Sequence, residues 1–292
     1  MTVLSEPECI WDVGAELGEG ALWSPRDEAI WFVDIKTRKI HRLAGAARQS
    51  WDSPQQVGFI LPAEGGRWIA GLQSGLHVFD PATGGFSPLA PPDELGPADR
   101  LNDGYVDPQG RLWFGSMQDS EQGTSGSLYR LDDDGRSRVQ DRGYRITNGP
   151  AMSPDGRTLY HTDTVERVIY AFDVSPAGAL SNKREFVRVS REGANPDGPC
   201  VDAAGCVWTA LFGGWGLERY SPAGELLDYV RLPVSNVTKA AFGGATLTTL
   251  YVTTARLHLD AAARAAQPLA GGLFKLEVDV AGLPQHEIRH GV

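Results

Sequence analysis

The sequence predicts an all-β fold. A strand with a central aromatic residue recurs six times along the chain, and each copy is followed by an alternating strand that ends in a tight turn. The chain contains 35 glycines, as expected of many turns between short strands. Sheets repeated around an axis leave few exposed edges, whereas a sandwich gives no reason for a sixfold repeat. We therefore predict a six-bladed β-propeller with roughly four antiparallel strands per blade.

The six repeated units account for nearly the whole chain, at about 49 residues each. The aromatic centres of the first strands are Trp31, Trp68, Trp113, Tyr160, Trp208 and Tyr251. The following strands with their turns cover residues 39–46, 76–84, 128–135, 169–178, 217–225 and 273–282. Residues 8–13 precede the first unit and are predicted to be a strand of the last blade that closes the ring. Because no linker separates two halves, we expect a single domain over residues 1–292.

One segment departs from the strand pattern. Residues 257–267, LHLDAAARAAQ, are rich in alanine and predict a short helix inserted in the sixth unit. Two interpretations are equally good at this stage. The helix either covers one mouth of the propeller or is a surface excursion without function.

Composition excludes several classes of function. The formal net charge of −10 argues against a nucleic-acid-binding protein, which needs a positive surface. No apolar run reaches the ~18 residues of a membrane helix, and the N-terminal residues lack the features of a signal peptide. Three cysteines are too few for a disulfide framework. We expect a cytoplasmic protein without a membrane or nucleic-acid partner.

Oxygen-bearing side chains occur at matching positions in four of the units. Each lies 11 or 12 residues before the aromatic centre and is followed within two residues by Gly; the four are Glu19, Asn102, Asn148 and Asp197. The matching positions of the other two units fall near Gln56 and at Lys239. The innermost strands of a propeller line its axis, so these side chains would form a ring at one mouth. Carboxylate and amide oxygens suit a divalent cation. Ordinary turn chemistry explains such X-Gly pairs equally well.

Two other site patterns are absent from the sequence. No G-x-S-x-G segment indicates a serine hydrolase, and the six histidines show no H-x-H spacing of a histidine-built zinc site. Asp103 follows Asn102 and has two interpretations: it orients Arg100 through a charge-assisted hydrogen bond, or it is a turn residue.

Several longer motifs resemble one family. They are LGEGALWSP (17–25), RLNDGYVDPQGRLWFGSM (100–117), ITNGPAMSPDGRTLYHTDT (146–164), NPDGPCVDAAGCVW (195–208), KAAFGG (239–244) and AAQPLAGGLF (265–274). Together, and in this order, they resemble the senescence marker protein/regucalcin/gluconolactonase family. The resemblance implies a six-bladed propeller that hydrolyses sugar lactones with the help of a metal ion.

The resemblance also implies roles for individual residues. It implies that Glu19, Asn148 and Asp197 bind one divalent cation, and that Arg100 and Asn102 hold the substrate. On chemical grounds Asp197 is also the candidate general base, because hydrolysis needs an activated water. The ligand types do not distinguish Fe²⁺, Zn²⁺, Ca²⁺ and Mn²⁺.

The sequence departs from the family pattern at one place. Some members carry a substrate-contacting Glu three residues after the Met of the GxM stretch, and Ser120 stands there in this chain. Asp119 or Glu121 could substitute for that Glu, or the contact could be missing. This difference bears on which sugar is bound.

We therefore predict a metal-dependent hydrolase that opens an aldonolactone, such as glucono- or xylonolactone, to the aldonic acid. A monomer is expected, with the sugar lactone as its small-molecule partner. Two alternatives stay open: a divalent-metal-binding propeller without catalysis, and a propeller hydrolase of other esters.

Overall fold

The computed structural model describes residues 3–89, 91–289 and 291–292 of the chain. Its strands form sheets in which sequence neighbours pair antiparallel. After the N-terminal strand β1 (Glu8–Trp11), the first four-stranded sheet consists of β2 (Gly18–Ser24), β3 (Ala29–Asp34), β4 (Lys39–Ala44) and β5 (Ala47–Asp52). The second consists of β6 (Val57–Ala63), β7 (Arg67–Leu72), β8 (Gly75–Asp80) and β9 (Gly85–Pro88), with a 3₁₀ turn at Glu64–Gly66.

Two more four-stranded sheets follow in the chain. One consists of β10 (Asp99–Val106), β11 (Leu112–Gln118), β12 (Gly126–Leu131) and β13 (Ser137–Tyr144). The other consists of β14 (Thr147–Met152), β15 (Thr158–Asp163), β16 (Val168–Val174) and β17 (Leu180–Arg188).

The rest of the chain forms one larger sheet. Its strands are β18 (Asn195–Val201), β19 (Val207–Phe212), β20 (Gly216–Tyr220), β21 (Leu226–Arg231), β22 (Val237–Gly243), β23 (Thr249–Thr254) and β24 (Leu273–Glu277), together with β1. The order across this eight-stranded sheet is β1-β24-β23-β22-β18-β19-β20-β21.

The prediction of six separate blades closed by the N-terminal strand is wrong. The described strands form four four-stranded sheets and one eight-stranded sheet, so the fold is all-β and propeller-like without six separate blades. The larger sheet arises because β18 and β22 pair in parallel through Gly198 and Lys239. A side chain at Gly198 would lie 2.9 Å from Lys239 Cγ, so this approach depends on glycine. The strand β1 lies at the edge of this sheet, beside β24.

The inner strands surround a common axis. The strands β2, β6, β10, β14, β18 and β22 contact one another in that order, and β22 contacts β2. The aromatic centres of the repeat all lie in the next strand outward, where four tryptophans are almost completely buried: Trp31, Trp68, Trp113 and Trp208. These indoles belong to three clusters of the hydrophobic core.

The predicted helix is present but shorter than expected. Helix α1 covers Ala261–Ala266, and the side chain of Asp260 accepts a hydrogen bond from the backbone N–H of Ala263 at 2.8 Å. Asp260 therefore ends the preceding loop and caps the helix, as aspartate commonly does at this position. None of the helices that the structure describes has the length and hydropathy of a membrane-spanning segment. The three cysteines are free thiols.

A buried histidine predicts acid sensitivity of the fold. His161 is fully buried, its ring contacts Tyr144 edge-on at 4.8 Å, and neither ring nitrogen has a hydrogen-bond partner among the described residues. Burial lowers the pKa of His161 from 6.5 to about 3. Between these values the unfolded chain binds a proton that the folded chain does not, so stability falls as the pH falls from 6.5 toward 3.

We expect His161→Phe to flatten this dependence by up to ~1.4 kcal/mol per pH unit. The measurement is the free energy of unfolding by denaturant between pH 7 and pH 4, for wild type and variant. Identical slopes in the two proteins would show that folding does not lower the pKa of His161.

Candidate functional site

The predicted ring residues all lie near the beginning of inner strands. Glu19 is on β2, Asn102 on β10, Asn148 on β14 and Asp197 on β18. In each strand the pairing register with the next strand shifts at this place, as in a β-bulge. A bulge turns a side chain out of the regular alternation, which is how four separate strands aim polar groups at one axis.

Glycine makes two of these bulges possible. Gly20 and Gly149 follow Glu19 and Asn148 directly and have φ values of 61° and 79°. Residues with a side chain rarely adopt this left-handed conformation. The X-Gly pairs noted in the sequence are therefore part of the site's construction, and the turn chemistry and the convergence of side chains occur together.

All the predicted site residues except Asp119 line one cavity of about 220 Å³. Its polar lining consists of Glu19, Arg100, Asn102, Glu121, Asn148, Thr164, Asn195, Asp197 and His258. Its apolar lining consists of Leu17, Met117, Ile146, Val165, Phe212 and Leu257. Leu257 and His258 belong to the segment before α1, so this excursion contributes to the wall of the cavity.

Two carboxyl groups face each other at the axis. Glu19 and Asp197 are each only 5% exposed and hydrogen-bond to one another. Burial, then the charge of Asp103, raises the pKa of Glu19 to about 7. Burial and the neighbouring charges of Glu19 and Asp103 raise the pKa of Asp197 well above its usual value. A hydrogen bond between two carboxyl groups requires one of them to be protonated.

Two amides lie beside the carboxyl pair. The Nδ2 group of Asn102 donates to the Thr147 carbonyl at 2.6 Å and to Asn148 Oδ1 at 3.1 Å. The Nδ2 group of Asn148 donates to the Thr164 hydroxyl at 2.9 Å. The nitrogen of Asn148 is thus directed to Thr164, and its amide oxygen is directed to the side of Asn102, from which it accepts.

Arg100 is almost completely buried next to Asn102. Its Nε donates to Asp119 at 2.9 Å, and its Nη1 donates to the side-chain oxygen of Asn102 and the carbonyl of Leu101. Burial lowers the pKa of Arg100, and the charge of Asp119 opposes that shift. Asn102 therefore connects the guanidinium to Asn148.

The carboxylate of Asp119 accepts hydrogen bonds from three side chains. Besides Arg100, it accepts from Lys36 Nζ at 2.8 Å and from Gln56 Nε2 at 2.9 Å. Although burial acts to raise it, hydrogen bonds from Lys36 and Gln56 hold the pKa of Asp119 at about 2. Asp119 does not belong to the described lining of the cavity, whereas Glu121 does.

Ser120, which stands where some family members carry the substrate-contacting Glu, is not part of the described cavity lining. The exposed Ser120 donates to the side chain of Gln118 at 2.9 Å. Glu121 follows with φ of 62° and approaches His258 to 4.0 Å at the cavity wall. His258 was not predicted from the sequence, because the loop that carries it lies 137 positions further along the chain.

Asp103 pairs with Lys239, and the pair is buried next to the ring. It accepts backbone N–H groups of Gly104 at 2.8 Å and Gly149 at 2.9 Å. Asp103 thus shapes the backbone of two bulges, while Arg100 is oriented by Asp119. A second, smaller cavity of about 90 Å³ is lined by Asp103 and Lys239 but by none of the four ring oxygens.

The donor set fits a divalent cation. Two carboxyl groups and one amide oxygen converge at the cavity, and burial raises the pKa of both carboxyl groups, which a cation between them would lower. Within the described ranges, no three His, Cys, Asp or Glu side chains form a metal cluster by themselves. A cation site here would therefore need the amide oxygen of Asn148 as well as the two carboxylates.

Comparison with known sequences identifies the family. The profile of the SMP-30/Gluconolactonase/LRE-like region matches residues 17–256. The chain belongs to this family. The family resemblance of the sequence motifs is thereby confirmed, and the matched region of the SMP-30/gluconolactonase family includes every predicted site residue.

Similar members of the family carry lactonase names. A 6-deoxy-6-sulfogluconolactonase of Pseudomonas putida is 35% identical over 94% of this chain and 96% of its own length. An L-arabinolactonase of Azospirillum brasilense is 34% identical over 93% of this chain and 92% of its own length. The crystal structure of a calcium-binding protein, regucalcin, from Agrobacterium tumefaciens is similar with a TM-score of 0.91 at 28% identity, covering 95% of each chain.

Proposed function

We propose that this chain is a metal-dependent hydrolase that opens an aldonolactone, such as glucono- or xylonolactone, to the aldonic acid. One observation carries the proposal: two buried carboxyl groups and an amide oxygen converge at a cavity beside a buried arginine. The lactonase names of the family members support the reaction class predicted from the sequence.

Glu19, Asn148 and Asp197 would hold one divalent cation. When bound, such a cation polarises a carbonyl oxygen and lowers the pKa of a bound water. Ca²⁺, Mn²⁺, Fe²⁺ and Zn²⁺ all accept mixed carboxylate and amide oxygens, so metal analysis of the purified protein is needed to identify it.

Arg100 and Asn102 bind and orient the lactone. The bonds of Arg100 to Asp119, Leu101 and Asn102 use Nε and Nη1, which leaves Nη2 for a substrate hydroxyl. Asn102 is held by Thr147, Asn148 and Arg100 and keeps an acceptor lone pair on Oδ1. Fixed groups of this kind hold the ester near the reactive position at little entropic cost.

Asp197 moves the proton. Its carboxylate takes a proton from the attacking water as the new C–O bond forms at the lactone carbonyl. It returns that proton to the ring oxygen when the ester C–O bond breaks, so the product is the open hydroxy acid. General-base assistance of this kind contributes ~10²–10⁴ in rate.

Glu121 takes the place of the family's substrate-contacting Glu, and Asp119 positions Arg100. The lining of the cavity includes Glu121, while the carboxylate of Asp119 is engaged by Lys36, Gln56 and Arg100.

We expect Asp119→Asn to raise KM about tenfold with a smaller change in kcat, because the guanidinium of Arg100 loses its charged anchor. Steady-state kinetics on one lactone measures both constants. Asp52→Asn, on the exposed surface, serves as the matched control. An unchanged KM in Asp119→Asn would contradict the positioning role.

We infer that residues 1–292 act as one domain and as a monomer; contacts between β22 and β2, which join the two ends of the repeat, support the single domain. Light scattering is expected to give the chain mass of 31.5 kDa, with a single cooperative melting transition. A larger assembly or two transitions would contradict this part of the proposal.

A substrate panel tests the proposed reaction. The metal-loaded protein is mixed with aldonolactones of different ring size and with simple aryl esters, and acid release is followed with a pH indicator. We expect hydrolysis of at least one aldonolactone at a rate well above that of the esters. Metal binding without any lactone hydrolysis would instead support a metal-binding propeller without catalysis. Preference for the aryl esters would support a propeller hydrolase of other esters.

A further inference from the structure

Lys239 occupies the ring position of β22, where four other inner strands present an oxygen-bearing side chain. The pairing register shifts between Val237 and Lys239, as it does at the other ring positions. Its backbone pairs with Gly198, the neighbour of Asp197, and its side chain lies against Gly198. In the sixth unit, the ring position therefore carries the cationic side chain of Lys239.

The ammonium group of Lys239 is fixed by Asp103. The two side chains are 10% and 2% exposed and hydrogen-bond to each other. Asp103 is also held by two backbone N–H groups, and both Asp103 and Lys239 interact electrostatically with Glu19. A buried pair so close to the two facing carboxyl groups acts on any cation that those groups bind.

The charges around the axis define which cation fits. Glu19, Asp197 and Asp103 supply three carboxylates and Lys239 supplies one ammonium, while the charge of Arg100 in the same cavity is balanced by Asp119. When all are ionised, two net negative charges remain, and one divalent cation neutralises them. Without Lys239, three negative charges would remain, which would match a trivalent cation.

We propose that Lys239 is a charge-setting residue that keeps Asp103 out of the ligand set and limits the site to a cation of charge two. This inference rests on the proposed metal site. It assigns Lys239 an electrostatic and positioning role without contact to the substrate.

The test compares Ca²⁺ with Tb³⁺, which have similar sizes and prefer oxygen ligands but differ by one charge. Dissociation constants are measured by calorimetry for Ca²⁺ and by terbium luminescence for Tb³⁺. For Lys239→Met we expect the preference for Tb³⁺ over Ca²⁺ to rise about tenfold or more, because one repelling charge is removed at short range. The ratio of the two constants cancels changes in the shape of the site that affect both ions alike.

Three further variants separate charge from packing. Lys239→Arg keeps the charge and is expected to leave the ratio within about threefold of wild type. Asp103→Asn removes a negative charge and is expected to shift the ratio about tenfold in the opposite direction. The double variant Asp103→Asn/Lys239→Met keeps the net charge and is expected to restore the wild-type ratio, even if the single Lys239→Met variant does not fold.

Lys275→Met is the matched control, because Lys275 pairs with Glu8 at the protein surface. A ratio that stays at the wild-type value in both Lys239→Met and Asp103→Asn would overturn the inference while leaving the proposed metal site intact. Absence of Ca²⁺ and Tb³⁺ binding by the wild-type protein would overturn the metal site itself.

Discussion

Asp197→Asn is expected to lower kcat/KM for lactone hydrolysis by about 10³-fold or more, because it removes the proposed proton acceptor and one of the two proposed carboxylate ligands. The substitution keeps the shape of a side chain that is 5% exposed on β18. It therefore isolates chemistry from packing better than alanine would. Glu19→Gln is expected to have a similar effect through the loss of the other carboxylate.

Loss of activity in Asp197→Asn should occur without loss of the fold. We expect the metal-free variant to melt at or above the wild-type temperature, since one of two facing carboxyl groups is replaced by a neutral amide. Lactone kinetics at saturating metal and thermal melting after metal removal measure the two effects. Asp173→Asn, an exposed aspartate paired with Arg184, is the control. Wild-type activity in a metal-repleted Asp197→Asn protein would exclude both roles of Asp197.

Arg100→Met is expected to lower kcat/KM about 10²-fold, with a higher KM as well as slower turnover. The guanidinium is 2% exposed and borders the cavity, where Asp119 and Asn102 fix its plane. Met retains much of the side-chain volume. Asp119 keeps Lys36 and Gln56 as partners, so the local structure is retained.

Arg100→Lys separates the contribution of the charge from that of the planar guanidinium. Arg100→Lys preserves the charge but not the planar fork, and we expect it to recover only part of the activity lost in Arg100→Met. Steady-state kinetics on the same lactone compares the three proteins. An unchanged KM in Arg100→Met would mean that Arg100 does not contact the substrate.

Much of the candidate site could be predicted because its residues occupy equivalent positions in successive repeat units. Glu19, Asn148 and Asp197 precede their aromatic strands by a nearly constant distance, and the bulges that aim them inward lie at the same place in each strand. The resemblance to the family then distinguished these residues from ordinary turns. Local sequence was sufficient because each unit builds its own bulge.

The remaining features depend on contacts between distant units. Asp119 accepts from Lys36, 83 positions earlier, and Asp103 pairs with Lys239, 136 positions later. No local pattern indicates such partners, so the roles of Asp119 and Asp103 stayed open in the sequence. The joining of two units into an eight-stranded sheet likewise depends on one parallel pairing between Gly198 and Lys239, which the repeat does not predict.

The most direct test of the account is the lactone-opening rate as a function of bound metal. Protein stripped by a chelator and verified by elemental analysis is titrated with a divalent cation, and initial rates are measured on an aldonolactone. We expect the stripped protein to be inactive, and the rate to rise in proportion to occupancy up to one ion per chain. Full activity in the verified metal-free protein would contradict the claim that a cation held by Glu19, Asn148 and Asp197 is needed for the reaction.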